Sequence, residues 1–218
     1  MEVIVENIIY ELDKKNKTAK VISYKGEPVE VIIPEFIKYR FRKYKVTEIR
    51  CWAFRGSRSL TSIDIPNSVT KIGYYAFKYC RNLESITIPD SVTYIGECVF
   101  DYIGMTLPKK YTEDGRLIAY KAFNANMTCR GFQYEEGKSY EIKGKIKLCN
   151  RGFHACTNPL HVFNYYDGKI GEDIVIHEVF LSGDIDNDIC DDSKFCASKI
   201  EIGRRLTMKD INEIINSK

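Results

Sequence analysis

The sequence predicts an α+β fold that is mostly β. A short solenoid of stacked repeats with an N-terminal β-hairpin cap is followed by a small α+β domain ending in a helix. Three observations predict it. Between Val46 and Phe100 the chain repeats every 23 residues, with Val46, Val69 and Val92, then Ile49, Ile72 and Ile95, then Phe54, Phe77 and Phe100 in register. Ahead of that block, residues 3–33 read as short apolar runs broken by polar turns. Beyond about residue 112 the period stops, and strand-like runs of another texture lead to an amphipathic C-terminal segment. A short fixed period means stacking, because one unit cannot bury its apolar face alone.

Val3-Ile-Val5, Ile8-Ile-Tyr-Glu-Leu12 and Ala19-Lys-Val-Ile-Ser-Tyr24 are strand-like, with Asp13-Lys-Lys-Asn-Lys17 as a polar turn. This hairpin is placed to cap the first apolar face of the stack. Val29-Glu-Val-Ile-Ile-Pro34 is a further strand and resembles Ile63-Asp-Ile-Pro66 in the repeat. Within each repeat, Leu60, Ile63 and Ile65 lie inward on a strand that Pro66 ends, and Val69 and Ile72 lie inward on a second extended piece. Gly73 and Gly96 are read as permitting a tight corner, and Tyr75-Ala-Phe77 as a turn that inserts Phe77 into the core. Met105-Thr-Leu-Pro108 begins one more strand.

The spacing shows an insertion. Pro66 precedes Val69 by three positions, whereas Pro34 precedes Val46 by twelve. The extra residues, Phe36 to Lys45, interleave basic and aromatic side chains and are expected to form a loop, either solvated with its aromatics packed on the cap or presented to a partner. Insertions in repeats fall in loops on one face, often the binding face. Lys38, Tyr39, Arg40, Phe41, Arg42, Lys43 and Tyr44 are therefore the candidate partner-binding residues. The expected partner is another protein with an acidic surface, with nucleic acid as the second possibility.

The pattern Ile65-Pro-x-Ser-Val-Thr-x-Ile-Gly-x-x-Ala-Phe77 resembles the BspA-like leucine-rich repeats over about 46–107, with residues 1–45 as their cap. The resemblance implies a curved solenoid used for protein binding, in a family that includes surface adhesins. Here Met1-Glu-Val-Ile-Val-Glu6 has neither a basic region nor a long apolar run, so a cytoplasmic location is expected.

The second part reads as a domain from residue 113 to 218. Leu117–Phe123, Cys129–Tyr134, Ser139–Ile142, Lys145–Cys149, Ile174–Leu181 and Ala197–Ile202 are expected strands. Asn158 and Pro159 open a short helix, and Thr207-Met-Lys-Asp210 is a capping box ahead of a helix with Met208, Ile211, Ile214 and Ile215 on one face. Tyr120-Lys-Ala-Phe123, Met127-Thr-Cys-Arg-Gly-Phe-Gln-Tyr134, Gly152-Phe-His-Ala-Cys156 and Asn164-Tyr-Tyr166 resemble a domain of unknown function found in phage and bacterial proteins, over about 116–206. That resemblance supplies no activity. It implies a phage or mobile-element setting, in which an intracellular protein would bind and inhibit a host factor.

Composition fits a binding protein without excluding an enzyme. The chain has 218 residues, 44% hydrophobic and 29% charged. No apolar run reaches the ~20 residues that span a bilayer, so no membrane partner is expected. Residues 1–110 hold 18 Lys and Arg against 13 Asp and Glu, and the remainder 15 against 17. An asymmetry of +5 against −2 is too mild to indicate nucleic acid by itself. The eight cysteines lack CxxC pairs and are expected to be reduced. The oligomeric state stays open.

Two constellations carry chemistry on paper. Cys129, Cys149, His154 and Cys156 are the ligand types of a tetrahedral zinc site, but without a CxxC knuckle they read first as core thiols, and no cofactor is called for. Gly152-Phe-His-Ala-Cys156 followed by a helix is similar to the second motif of ADP-ribosyltransferases. That likeness would place Tyr120 on the first strand, His154 beside nicotinamide and Glu178 on ribose hydroxyls. The first strand carries no Arg or His, and no Glu stands two residues before Glu178. Asp184-Ile-Asp-Asn-Asp188 fails as a calcium loop, with Ile189 and Phe195 at the positions that need Gly and Glu, and reads as an acidic loop.

Overall fold

The structure is a computed structural model describing residues 1–166, 168–187 and 193–217. Cys190 and the end of the acidic stretch at Asp188 lie outside the described residues. The chain divides into two units. One comprises Met1–Met105 with Phe163–Ile170, and the other Thr106–Val162 with Gly171–Ser217. The expected boundary near residue 112 thus falls at residues 105 and 106, and a later segment joins the first unit.

The first unit is the solenoid. Its cap consists of β1 (Glu2–Val5), β2 (Ile8–Asp13) and β3 (Thr18–Tyr24), antiparallel in sequence. β4 (Glu30–Ile32) follows, then β5 (Phe36–Tyr39) and β6 (Arg42–Ile49), and then the repeat strands β7 (Ser62–Asp64), β8 (Lys71–Ile72), β9 (Ser85–Thr87) and β10 (Tyr94–Ile95). Two parallel ladders run through the stack. One is β3-β6-β8-β10 and the other is β4-β7-β9. In-register apolar positions make this possible: Ile49 pairs with Ile72 and Ile72 with Ile95, while Val31 pairs with Ile63 and Ile63 with Ile86. All of these are buried. Each such side chain contributes roughly 1.5–3 kcal/mol on burial.

A column of aromatic rings fills the core beside the turns. Phe54 stacks on Phe77 with centroids 5.5 Å apart, and Phe77 on Phe100 at 5.9 Å. Tyr24 extends the column at one end and Phe163 at the other. Gly168–Lys169 pairs antiparallel with β10, so Phe163–Ile170 closes the last turn. Met105–Pro108, expected to begin another strand, joins no ladder.

Gly73 and Gly96 have a different role from the one expected. Neither has positive φ. A Cβ on Gly73 would lie 2.6 Å from the Cys51 amide nitrogen, and one on Gly96 2.6 Å from that of Tyr74. The glycines admit the neighbouring turn's backbone, and the left-handed conformations fall on Trp52, Tyr75 and Cys98 instead.

The second unit contains β11 (Lys110–Tyr111), β12 (Leu117–Asn124), β13 (Thr128–Cys129), β14 (Phe132–Gln133), β15 (Ser139–Glu141) and β16 (Phe153–Cys156). Gly168–Lys169, in the first unit, is β17, and the second unit ends in β18 (Ile174–Asn187), β19 (Lys194–Leu206) and helix α1 (Met208–Asn216). The long strands close a ring: β12 pairs with β18, β18 with β19, β19 with β16, and β16 returns to β12 through Tyr120 opposite Cys156. Register shifts after His177 and Ser182 supply the bending that closure requires. Leu117, Ala119, Phe123, Phe153, Val179, Leu181 and Ile200 are among the side chains of its core.

Three expectations change here. Cys129–Tyr134 is not one strand, because Arg130 and Gly131 both adopt positive φ and turn the chain between β13 and β14. Lys145–Cys149 is not a strand either. Arg151 donates to the carbonyls of Lys143 and Lys145 at 2.6 and 2.9 Å, and the Leu148 amide donates to Asp186, so side chains satisfy this backbone. The acidic Asp184–Asn187 lies within β18 rather than in a loop. The capping box forms as expected, with Asp210 N donating to the Thr207 hydroxyl at 3.2 Å.

Candidate functional site

The Phe36–Lys45 insertion is a β-hairpin, not a loop. Phe36 faces Lys45, Ile37 faces Tyr44, Lys38 faces Lys43 and Tyr39 faces Arg42. Alternation across the pleat assigns the faces. Ile37 and Tyr44 point into the core at 2% exposure each, so Tyr44 cannot reach a partner. Phe36, Lys38, Lys43 and Lys45 share the opposite, exposed face. The Lys43 ammonium sits 3.7 Å from the centre of the Phe36 ring. Lys38 and Lys43 are like charges directly opposed, an arrangement that weakens a hairpin unless something neutralises it.

At the tip, Arg40 has φ of 54° and Phe41 is wholly exposed, at 106%. Arg40 lies 5.5 Å from the Tyr39 ring centre, and Tyr39 is half-buried. Arg42 completes a tip in which an apolar ring stands between two guanidinium groups. Mixed cationic and aromatic side chains of this kind suit contact with an acidic protein surface.

The candidates in the second unit are partly brought together. Tyr120 and Glu178 are cross-strand partners on β12 and β18. Burial, and then the Glu178 charge, push the Tyr120 hydroxyl up to about 12. His154 on β16 faces Cys196 across the ladder. Its Nε2 accepts the Cys149 amide at 2.9 Å, and burial, with Lys121 and Lys194 nearby, lowers its pKa. Tyr120 lines a shallow depression with Leu107, Pro108, Ile118, Thr157 and Ile214, and neither His154 nor Glu178 is among its walls. Among the described residues no group of three or more His, Cys, Asp or Glu is placed to hold a metal, so Cys129, Cys149, His154 and Cys156 do not form a ligand set.

Two ionisable side chains that sequence reasoning passed over lie buried on β12 and β18. Lys121 and His177 are cross-strand partners, 8% and 3% exposed. The Lys121 ammonium donates to the His154 carbonyl at 3.0 Å, and burial lowers its pKa. His177 Nδ1 lies 2.9 Å from the Gly203 carbonyl. Their signal was a charged residue inside the apolar run Leu117–Phe123.

Parallel ladders, an aromatic column and a capped end define a β-solenoid of leucine-rich-repeat type, and proteins built on such repeats generally bind other proteins. Residues 36–145 match the BspA type leucine rich repeat region, and the chain belongs to that family. Residues 117–214 match a domain of unknown function (DUF7666). The two matches overlap at 117–145, which the structure places in the second unit.

A leucine-rich repeat protein from Bacteroides ovatus is 39% identical over 46% of this chain and 27% of its own length, with a TM-score of 0.44. A leucine rich cell surface protein from Faecalibacterium prausnitzii is 31% identical over 47% of this chain and 28% of its own, with a TM-score of 0.43. A T. pallidum leucine rich repeat protein is 27% identical over 50% of this chain and 51% of its own, with a TM-score of 0.41. The chain therefore spans about a quarter to a half of these proteins. No curated protein matches it. No helix among the described residues is long and apolar enough to cross a membrane.

Proposed function

We propose that this chain binds an acidic protein surface through the Phe36–Lys45 hairpin, and that it acts in the cytoplasm as an inhibitor that covers a host factor's working surface. The observation that carries the reading is Phe41, wholly exposed at the tip between Arg40 and Arg42. An apolar side chain in that position gains free energy only by entering a partner's recess. The opposed Lys38 and Lys43 add charge that an acidic partner would relieve. A reducing compartment agrees with the use of Cys80 as a thiol, its Sγ donating to the Phe54 carbonyl at 3.0 Å.

The test is capture from the native host by the full chain, followed by mass spectrometry. A protein partner should be retained by the wild type and lost by the Arg40→Ala, Phe41→Ala, Arg42→Ala triple variant, whose melting curve should be unchanged. Retention by the triple variant, or capture of nucleic acid in place of protein, would overturn the proposal. Cell fractionation tests the location, and growth arrest on expression, abolished by the same triple variant, tests the inhibition.

A further inference from the structure

The turns that connect the two ladders carry aromatic side chains where the backbone suits them least. Trp52, Tyr75, Tyr79 and Tyr102 have φ of 63°, 59°, 65° and 55°. A left-handed backbone crowds the Cβ of any residue but glycine. Stacking requires this conformation. It lets Trp52, Phe54 and Gly56 donate to the carbonyls of Tyr74, Ala76 and Lys78 one turn on, and Tyr75, Phe77 and Tyr79 to those of Glu97, Val99 and Asp101. Stacking does not require the aromatic residue. The first turn has Gly56, with φ of 74°, where the next two turns have Tyr79 and Tyr102. Strain kept where glycine would serve points to use of the side chain.

The same turn segments carry exposed Arg55, Arg58 and Arg81, with half-buried Lys78 paired to Asp101 at 2.6 Å. Tyr79 stacks on Tyr102 with centroids 5.2 Å apart. Arg55 lies 5.8 Å from the Tyr79 ring centre, and Lys78 lies 5.1 and 5.9 Å from the centres of Tyr79 and Tyr102. These ring faces are therefore already in use. A nucleobase inserted between two rings needs about 3.4 Å on each side, more than this stack allows. What the edge offers outward is donors: tyrosine hydroxyls, the indole N–H of Trp52 at 61% exposure, and guanidinium forks that match carboxylates. Trp, Tyr and Arg are also the side chains that dominate protein contacts.

We infer that this turn edge is a second contact surface, made for an acidic peptide segment. The inference rests on the chain being a protein-binding module, but it uses the opposite end of β6 from the hairpin tip. The test titrates the full chain against a fluorescein-labelled peptide of alternating Glu and Leu, its Lys and Leu counterpart, and oligo-thymidylate, by fluorescence anisotropy. The acidic peptide should bind most tightly and weaken as salt rises. Its affinity should fall by about tenfold or more in the Tyr79→Gly, Tyr102→Gly double variant and in Arg55→Ala, and stay level in Tyr111→Ala, an exposed aromatic of the second unit. Glycine is chosen because it relaxes the backbone it enters, and Arg55→Ala provides a variant whose backbone is untouched. Equal binding of acidic and basic peptides, tighter binding of oligo-thymidylate, or wild-type affinity in both turn variants would overturn the inference. Hairpin binding of the native partner is scored separately, so either surface can fail without the other.

Discussion

Gly73→Ala and Gly56→Ala are the same chemical change made against two different constraints, and the solenoid predicts their order. At Gly73 the new Cβ meets the Cys51 nitrogen at 2.6 Å, the Arg50 carbonyl carbon at 2.9 Å and the Cys51 sulfur at 3.0 Å. Reaching ordinary contact at 3.4 Å means separating two turns by about 0.8 Å. Those turns are held by Gly73 N donating to the Ile49 carbonyl at 2.8 Å and Trp52 N to that of Tyr74 at 3.0 Å. Overpacking costs ~1–3 kcal/mol and each weakened hydrogen bond up to ~1 kcal/mol, so Gly73→Ala should lose about 2–4 kcal/mol. At Gly56 a Cβ meets nothing within 4 Å, and only φ of 74° is strained. The left-handed penalty of ~1–2 kcal/mol is offset by the less flexible unfolded chain, leaving roughly 0.5–1 kcal/mol. Urea unfolding followed by the fluorescence of Trp52, the single tryptophan, reads the solenoid directly. With a slope of about 2 kcal/mol/M, the midpoint of Gly73→Ala should fall by about 1–2 M and that of Gly56→Ala by less than about 0.5 M. Equal shifts, or the reverse order, would refute the assignment of Gly73 to close approach.

Phe77→Ala removes the middle ring of the buried aromatic column and should cost ~3–5 kcal/mol in the same urea assay. Thr207→Ala breaks the capping box and should cost ~1 kcal/mol, seen as earlier loss of helical circular dichroism. Hydrogen bonds from the Thr207 hydroxyl and amide, then from Arg204, lower Asp210 from 3.8 to about 2. Its folded pKa lies below its unfolded one, so this contribution is present above about pH 4 and is lost as pH falls toward 2; Asp210→Ala should flatten that part of the acid unfolding curve. Lys121 has the opposite dependence. Burial lowers its pKa in the folded state, so the unfolded chain binds the proton more readily and the wild type gains stability as pH rises toward 10.5. Lys121→Met should remove that gain, and parallel stability profiles for the two proteins between neutral and alkaline pH would count against the burial.

The repeat was legible because a buried rung repeats its own residue type. Phe54, Phe77 and Phe100 had to coincide in space once they coincided in period. The role of Gly73 is hidden in the sequence because a glycine there signals either freedom of φ or lack of room, and the two differ only when the neighbouring turn is in place. The basic and aromatic residues of the hairpin look alike in sequence, which hides the alternation that buries Ile37 and Tyr44 and exposes Lys38 and Lys43. The return of Phe163–Ile170 to β10 was invisible because its partner, Ile95, lies far away in the chain. Ring closure through Tyr120 and Cys156 rests on one non-local pair and leaves no local trace.

A stack of parallel rungs has no intrinsic length. Each terminal rung presents unpaired amides and carbonyls to which a further rung, from this chain or another, can add. Here the direction reverses beside both end rungs of the β3-β6-β8-β10 ladder. β2 runs antiparallel beside β3, the first of these rungs, and Gly168–Lys169 runs antiparallel beside β10, the last. A strand of opposite sense does not repeat the parallel pattern beneath it, so each one acts as a chain terminator for a polymer that the repeat itself would propagate. The finite size of that ladder is thus written into the two segments that break the period, and head-to-tail fibre growth is the failure to expect when either one is displaced.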